Sequence, residues 1–322
     1  MTLVRRCQST HSRRPEAGFT LIEVMSALVI LAIAMVAVFS TFTTQQKSFT
    51  VQNRVVEMQQ NLRQAVEYMT RDIRLAGYGI PAPVTLPTGK LPSGTTIRTL
   101  FPIDNTAGPD SLYVFYCYDM DGYQPPTTNT SVIAVGAGIV NVAGITGFVT
   151  LGGELVLITD NTTADLFETS GAAGTVLTFG GGGYSASAPR SYQAGSTVAK
   201  ARFVRYYIDT TTDPAHPTLM VDRMAGQLAQ PVADDIEDMQ LTYGLDTNAD
   251  GAVDAWITSP NVVTQIPQIR QVRLQLMARS RLPDKDWRET RQALGNHSGG
   301  TTTDGYRRRI IDVVIDVRNS GV

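Results

Sequence analysis

Gly18-Phe-Thr-Leu-Ile-Glu23-Val24-Met-Ser-Ala-Leu-Val-Ile-Leu-Ala-Ile-Ala-Met-Val-Ala-Val-Phe-Ser-Thr-Phe42 decides the architecture of this chain. From Val24 to Phe42 there is no charged residue. As an α-helix that run covers roughly 30 Å, the hydrocarbon thickness of a bilayer. Upstream, Arg5, Arg6, Arg13 and Arg14 against Glu16 make residues 1–18 a formal +3 in a chain whose total is −2, so the remainder carries −5. That positive flank predicts that the leading segment stays in the cytoplasm and the rest lies across the membrane. A secretory signal peptide expects an apolar run of about 7–15 residues ending in a small-residue cleavage site. Here the run is longer and passes into Ser40-Thr-Phe-Thr-Thr-Gln-Gln46 with no such site. A plain anchor leaves Glu23 unexplained, since a carboxylate at mid-bilayer costs about 2.5–3.5 kcal/mol on insertion scales and needs a partner.

Gly18-Phe19-Thr-Leu-Ile-Glu23 closely resembles the prepilin peptidase site of type IV pilins and pseudopilins. The resemblance implies cleavage after Gly18, N-methylation of the new terminus Phe19, and Glu23 as the family's conserved acid. Cleavage would create a positive amine beside an apolar helix, and Glu23 would neutralise such an amine on a neighbouring subunit. The attraction is far stronger in low dielectric than in water. Cys7 falls in the segment expected to be removed, which leaves Cys117 without an internal disulfide partner. In Ser111-Leu-Tyr-Val-Phe-Tyr-Cys-Tyr118 it reads as a small buried apolar residue.

Beyond the apolar run, Val51, Val55, Met58, Leu62, Val66, Met69, Ile73 and Ala76 recur at spacings of three and four, one stripe along a helix. No Gly or Pro interrupts Phe19–Ala76, and Gly77, Gly79 and Pro81 stop it. The expected domains are a cleaved leader 1–18, a membrane or filament-core helix 19–43, an amphipathic half 44–78, and a β-rich head 79–322. The head reads as short strands, among them Leu112–Tyr118, Glu154–Thr159, Ala201–Ile208, Gln240–Tyr243, Val272–Met277 and Ile310–Val317. Val272, Leu274 and Leu276 alternate with Arg273 and Gln275. The Gly-, Ser- and Thr-rich stretch of about 121–195 reads as a β-rich insertion. The fold class expected is α+β, a long N-terminal helix packed on an antiparallel sheet. Ala201-Arg-Phe-Val-Arg-Tyr-Tyr-Ile208, Val232-Ala-Asp-Asp-Ile-Glu-Asp-Met-Gln-Leu-Thr-Tyr-Gly244 and Arg308-Arg-Ile-Ile-Asp-Val-Val-Ile-Asp-Val-Arg-Asn319 resemble PilW-type minor pilins.

Asp246, Asn248, Asp250 and Asp254 place oxygen donors at positions 1, 3, 5 and 9 of a loop with Gly251 at position 6 and the Ala252 carbonyl at position 7. That is the donor pattern of a calcium loop. Position 12 is Ile257, so the usual bidentate Glu is missing. An Asx-rich hairpin turn accounts for the same residues, and both readings stand at this point.

Nothing else in the sequence forms a chemical site. His11, His216 and His297 are scattered without metal-ligand spacing. Gly180–Gly183 lacks the Lys-Ser/Thr of a phosphate loop. Arg307–Arg309 reads as a solvated strand start in preference to a phosphate contact. The overall charge offers no nucleic-acid footprint. No catalytic set emerges, and no cofactor apart from the calcium question. The resemblance implies a minor pilin of a type IV pilus, acting in initiation or assembly and near the tip. Its partners would be major and minor pilins, the prepilin peptidase and the inner-membrane platform. Its place would be the inner membrane with a periplasmic head, then the surface pilus. A type II secretion pseudopilin and a pilus-borne adhesin or DNA-uptake subunit are the alternatives.

Overall fold

The computed structural model describes residues 18, 20–92, 96–117, 127–144, 148, 152–181, 183–261 and 264–319. The chain divides into two units, Met1–Asn53 and Arg54–Val322.

Helix α1 runs Leu21–Leu75 without a break, as the absence of Gly and Pro predicts. In the first unit its large apolar side chains are exposed all round, from Leu21 and Ile22 to Phe42 and Phe49. The most apolar 18-residue window has mean hydropathy 2.7 and none of it is buried. A helix apolar on every side needs lipid or other helices around it. Three hydroxyls in and just beyond the run are satisfied locally. Ser26 Oγ donates to the Glu23 carbonyl at 2.9 Å, Thr41 Oγ1 to Ala37 at 3.0 Å and Thr44 Oγ1 to Ser40 at 2.9 Å. No polar hydrogen in these side chains is left facing hydrocarbon.

In the second unit the stripe buries Met58, Leu62, Ala65, Met69, Ile73 and Ala76. The helix ends at Gly77, whose φ of +79° suits glycine. A Cβ there would meet Thr99 Cγ2 at 2.6 Å and the Asn319 carbonyl oxygen at 2.8 Å, so the helix end and the C-terminal segment approach too closely for any side chain.

The head is β-rich and almost wholly antiparallel. Its main strands are β1 (Leu100–Ile103), β2 (Ser111–Cys117), β3 (Leu155–Thr159), β4 (Ala164–Ala173) and β5 (Val176–Phe179). There follow β6 (Thr197–Asp209), β7 (Thr218–Asp222), β8 (Gln230–Ala233), β9 (Ile236–Leu245), β10 (Ala255–Ile257), β11 (Ile269–Arg279) and β12 (Arg308–Asp316). A four-stranded sheet has the order β10-β9-β11-β12. The larger sheet is organised by β6, which is long enough to pair twice on each side. Its residues 205–209 pair β7 and 197–201 pair β3, while 201–206 pair β2.

Strand β2 is buried at all seven positions because both its faces are covered. Leu112, Val114 and Tyr116 join Val204, Tyr206 and the α1 stripe in one core, which also takes in Leu241, Leu274 and Leu276. Tyr113, Phe115 and Cys117 turn the other way into a second core, where Tyr113 stacks on Phe203 with ring centroids 5.6 Å apart. Cys117 lies there against Gly79, and burial pushes its thiol up to about 12.

The stretch read as an insertion is woven into the large sheet. Strand β3 lies hydrogen-bonded between β6 and β4, and β5 continues from β4. It brings a third core of its own, including Val156, Ile158, Phe167 and Leu177.

Candidate processing and assembly site

Thr20 and Glu23 start α1 with a reciprocal cap. The Thr20 backbone N–H and its Oγ1–H both donate to Glu23 Oε2, at 3.0 and 2.9 Å, and the Glu23 N–H reaches back to Thr20 Oγ1 at 3.4 Å. This is the Thr-x-x-Glu capping box, in which two orphan donors of the first turn are satisfied and a carboxylate sits at the positive end of the helix. The pattern was legible as Thr20-Leu-Ile-Glu23, yet reading Glu23 through the peptidase site alone passed over it. Gly18, two residues before, has nothing within 4 Å of where a side chain would stand. Phe19, the leader with its arginines, and Cys7 lie outside the described residues.

A second acid on α1 went unnoticed in the sequence. Asp72 interrupts the apolar stripe and is 6% exposed. Tyr116 Oη donates to its Oδ1 at 2.7 Å and Tyr206 Oη to its Oδ2 at 2.6 Å. Burial first, and the carboxylate second, push both phenols well above the ordinary tyrosine value. The hydrogen bonds tie the last turns of α1 to β2 and β6. An acid at a stripe position was the only signal, and it named no partner.

The 246–254 loop joins β9 to β10. Asp246 Oδ1 accepts the Asp250 N–H at 3.1 Å and its Oδ2 the Gly251 N–H at 3.0 Å, with the Arg270 Nε–H also on Oδ2 at 3.0 Å. Asn248 Oδ1 accepts the Asp250 N–H at 2.9 Å, and Asp250 Oδ1 the Ala252 N–H at 2.8 Å. Asp254 Oδ2 takes the Thr247 N–H and hydroxyl, both at 2.8 Å. Burial raises the Asp246 carboxyl, but Arg270 and the loop N–H groups outweigh it and hold the group low. Thr247 does the same for Asp254. The four side chains therefore come together on one loop, Asn248 and Asp250 closing Asx turns and Asp246 and Asp254 bonding across it, with a guanidinium already seated on the first. Among the described residues no cluster of three or more His, Cys, Asp or Glu is arranged to hold a metal ion.

The remaining polar candidates are internal. Of Arg307–Arg309 only Arg309 is exposed: the Arg308 side chain is buried between Glu237 and Asp304, both at 2.6 Å, and Arg307 pairs with Asp284 at 3.0 Å while its guanidinium lies 4.1 Å from the Trp287 ring. The pairing crosses the sheet: Glu237 of β9 meets Arg308 at the start of β12 and lies 3.9 Å from Arg279 of β11, the strand between them. His297 Nδ1 lies 2.9 Å from Asp238 Oδ2, beside the Arg291–Asp238 pair, and His216 Nδ1 lies 2.8 Å from Asp235. Asp110 accepts the N–H groups of Asn105 and Leu241, each at 2.8 Å, fastening the loop before β2 to β9.

Residues 13–39 match the family model of the prokaryotic N-terminal methylation motif. Residues 205–319 match that of the type IV pilus-assembly protein W. A type IV-like pilin from Thermus thermophilus aligns at 11% identity and TM-score 0.39, covering 82% of this chain and 97% of that one. No curated protein matches.

Proposed function

We propose that this chain, a type IV pilin-like protein of the PilW type, is a minor pilin that works in the initiation and assembly of a type IV pilus, near its tip. Prepilin peptidase cuts after Gly18, Phe19 is methylated, and the helix passes from the inner membrane into the filament core. The observation that carries this reading is the first unit of α1: a capped start at Thr20 and Glu23 and a helix apolar on every side, with the Ser26 and Thr41 hydroxyls bonded to its own backbone. Such a surface is stable among lipids and equally among like helices. The same segment serves both states without refolding. The partners are other pilins, the peptidase and the assembly platform, and the chemistry is packing, with no reaction of its own.

Mass spectrometry of the mature protein tests the processing: the expected N-terminus is N-methyl-Phe19. Gly18→Arg should retain the leader while the protein still inserts, because the spanning run is unchanged. A mature form beginning elsewhere overturns the reading. A deletion strain separates the settings. Loss of surface pili is expected; loss of secreted enzymes with pili intact would place the chain in a secretion pseudopilus instead.

A further inference from the structure

A groove of about 670 Å³ lies in the second unit between α1 and β12. Its floor is apolar, formed by the half-buried Val66 and Leu75 of the helix and Ile311 and Val313 of the strand. Its rim carries Arg63, Arg71, Arg74 and Arg318, with Glu67 the one acid lining it. The four arginines take no part in the ion pairs and side-chain hydrogen bonds found among the described residues, whereas Arg273, Arg307 and Arg308 on neighbouring elements are all paired. Thr70 Oγ1, also lining the groove, is buried without a partner. Strand β12 pairs β11 on one side only, and among the described residues no strand covers its other edge. A nine-residue edge of that kind presents a row of free backbone donors and acceptors.

We propose that this groove docks an extended segment of another pilus subunit, with alternating apolar and acidic side chains, added as a strand along β12. The observations fix each property of the occupant. The open edge asks for an extended backbone, because only a strand uses its row of N–H and C=O groups. The floor asks for apolar side chains at every second position, matching the spacing of Ile311 and Val313. The unpaired arginines ask for carboxylates, at a rim where they steer approach and set register more than they add affinity. A nucleic acid would use the arginines but neither the apolar floor nor the strand edge, and an anionic lipid would leave the strand edge unpaired even with an acyl chain on the floor. The identification of the partner as a pilus subunit rests on the assembly reading above; the chemistry of the groove does not.

The probe is a fluorescein-labelled nine-residue peptide alternating valine and aspartate, titrated by polarisation onto the full-length processed protein in neutral detergent. Binding is expected to weaken about tenfold on Arg71→Glu/Arg74→Glu and to fall with added salt. A valine–lysine peptide should not bind, and methylating alternate backbone nitrogens of the acidic peptide should abolish binding whatever the variant does to folding. Equal binding of the methylated peptide, or no difference between the acidic and lysine peptides, overturns the proposal. So does tighter engagement of duplex DNA or phosphatidylglycerol vesicles through the same arginines. Normal piliation in a deletion strain would sink the assembly reading while leaving the peptide result standing; absent peptide binding with pili lost on deletion would sink the groove alone.

Discussion

Glu23 has one duty seen within the chain and a second that we propose, and the two can be pulled apart. Its Oε2 completes the capping box with Thr20, a duty within one chain, and its charge is the feature that would meet a neighbour's new amine. Glu23→Gln keeps an acceptor at the capping position and removes only the charge. The expected outcome is normal processing and a severalfold drop in incorporation into filaments, measured by immunoblot of sheared pili. Thr20→Val removes the capping hydroxyl and leaves the charge, so incorporation should stay close to wild type. If the two variants behave alike, capping is the whole role and the amine pairing is wrong. The acids at 246–254 pose a similar choice. The sequence displayed all four donors but had no means of showing Arg270, 24 positions beyond Asp246, lying on the first of them. A cation entering the loop competes with that guanidinium for the Asp246 carboxylate. We therefore expect the thermal midpoint to be the same in EDTA and in millimolar Ca²⁺. A rise with Ca²⁺ that Asp250→Ala removes would instead make the loop a calcium site, since a ligand bound only to the folded state raises the midpoint.

At the scale of the element, α1 was readable almost throughout, because a helix is made of near neighbours and its periodicity lies within the segment. The stripe from Met58 to Ala76 is the buried face, and Gly77 ends the helix. What periodicity cannot show is why an acid stands in that face. The partners of Asp72 come from strands 44 and 134 residues further along, and only the packed structure brings them together. The arrangement makes a definite prediction. Asp72→Leu leaves two buried phenols without an acceptor, at about 1–3 kcal/mol each. Asp72→Asn keeps one carbonyl acceptor and offers an N–H to the other phenol oxygen, so its loss should be clearly the smaller. Denaturant midpoints of the full chain in detergent give the order. A leucine variant as stable as wild type would show that the phenols find other partners and that Asp72 does not secure the helix.

Across the whole molecule, strand positions were legible and strand partners were not. Short runs of Val, Ile, Tyr and Thr marked β2, β6, β9, β11 and β12. The pairing of β6 with β3, β7 and β2 depends on which edges are free once other strands have docked, and no local pattern encodes that. For the same reason the Gly-rich 121–195 stretch looked like an addition although its strands continue the main sheet. Long-range placement also sets a titration that should register in the stability of the head. Asp110 is 2% exposed, and Asp104 and Asp238 face it from its own loop and from β9. Burial is the largest influence and the two carboxylates add to it. The N–H bonds from Asn105 and Leu241 oppose both, and the net result pushes the carboxyl up to about 7. In the unfolded chain an aspartate titrates near ~4. Between those values the folded head holds a proton that the unfolded chain has released. The Asp110 contribution is therefore most favourable below about pH 4, declines as pH rises to about 7, and is flat above. The measurement is a difference between two proteins, which cancels what the rest of the chain contributes. The thermal midpoint of wild type minus that of Asp110→Asn, whose side chain is neutral at every pH, should fall steadily from about pH 4 to about pH 7 and then level. A difference that stays constant over that range would mean that the two N–H bonds hold Asp110 ionised throughout, with the carboxylate acting only as a fastener between the loop and β9.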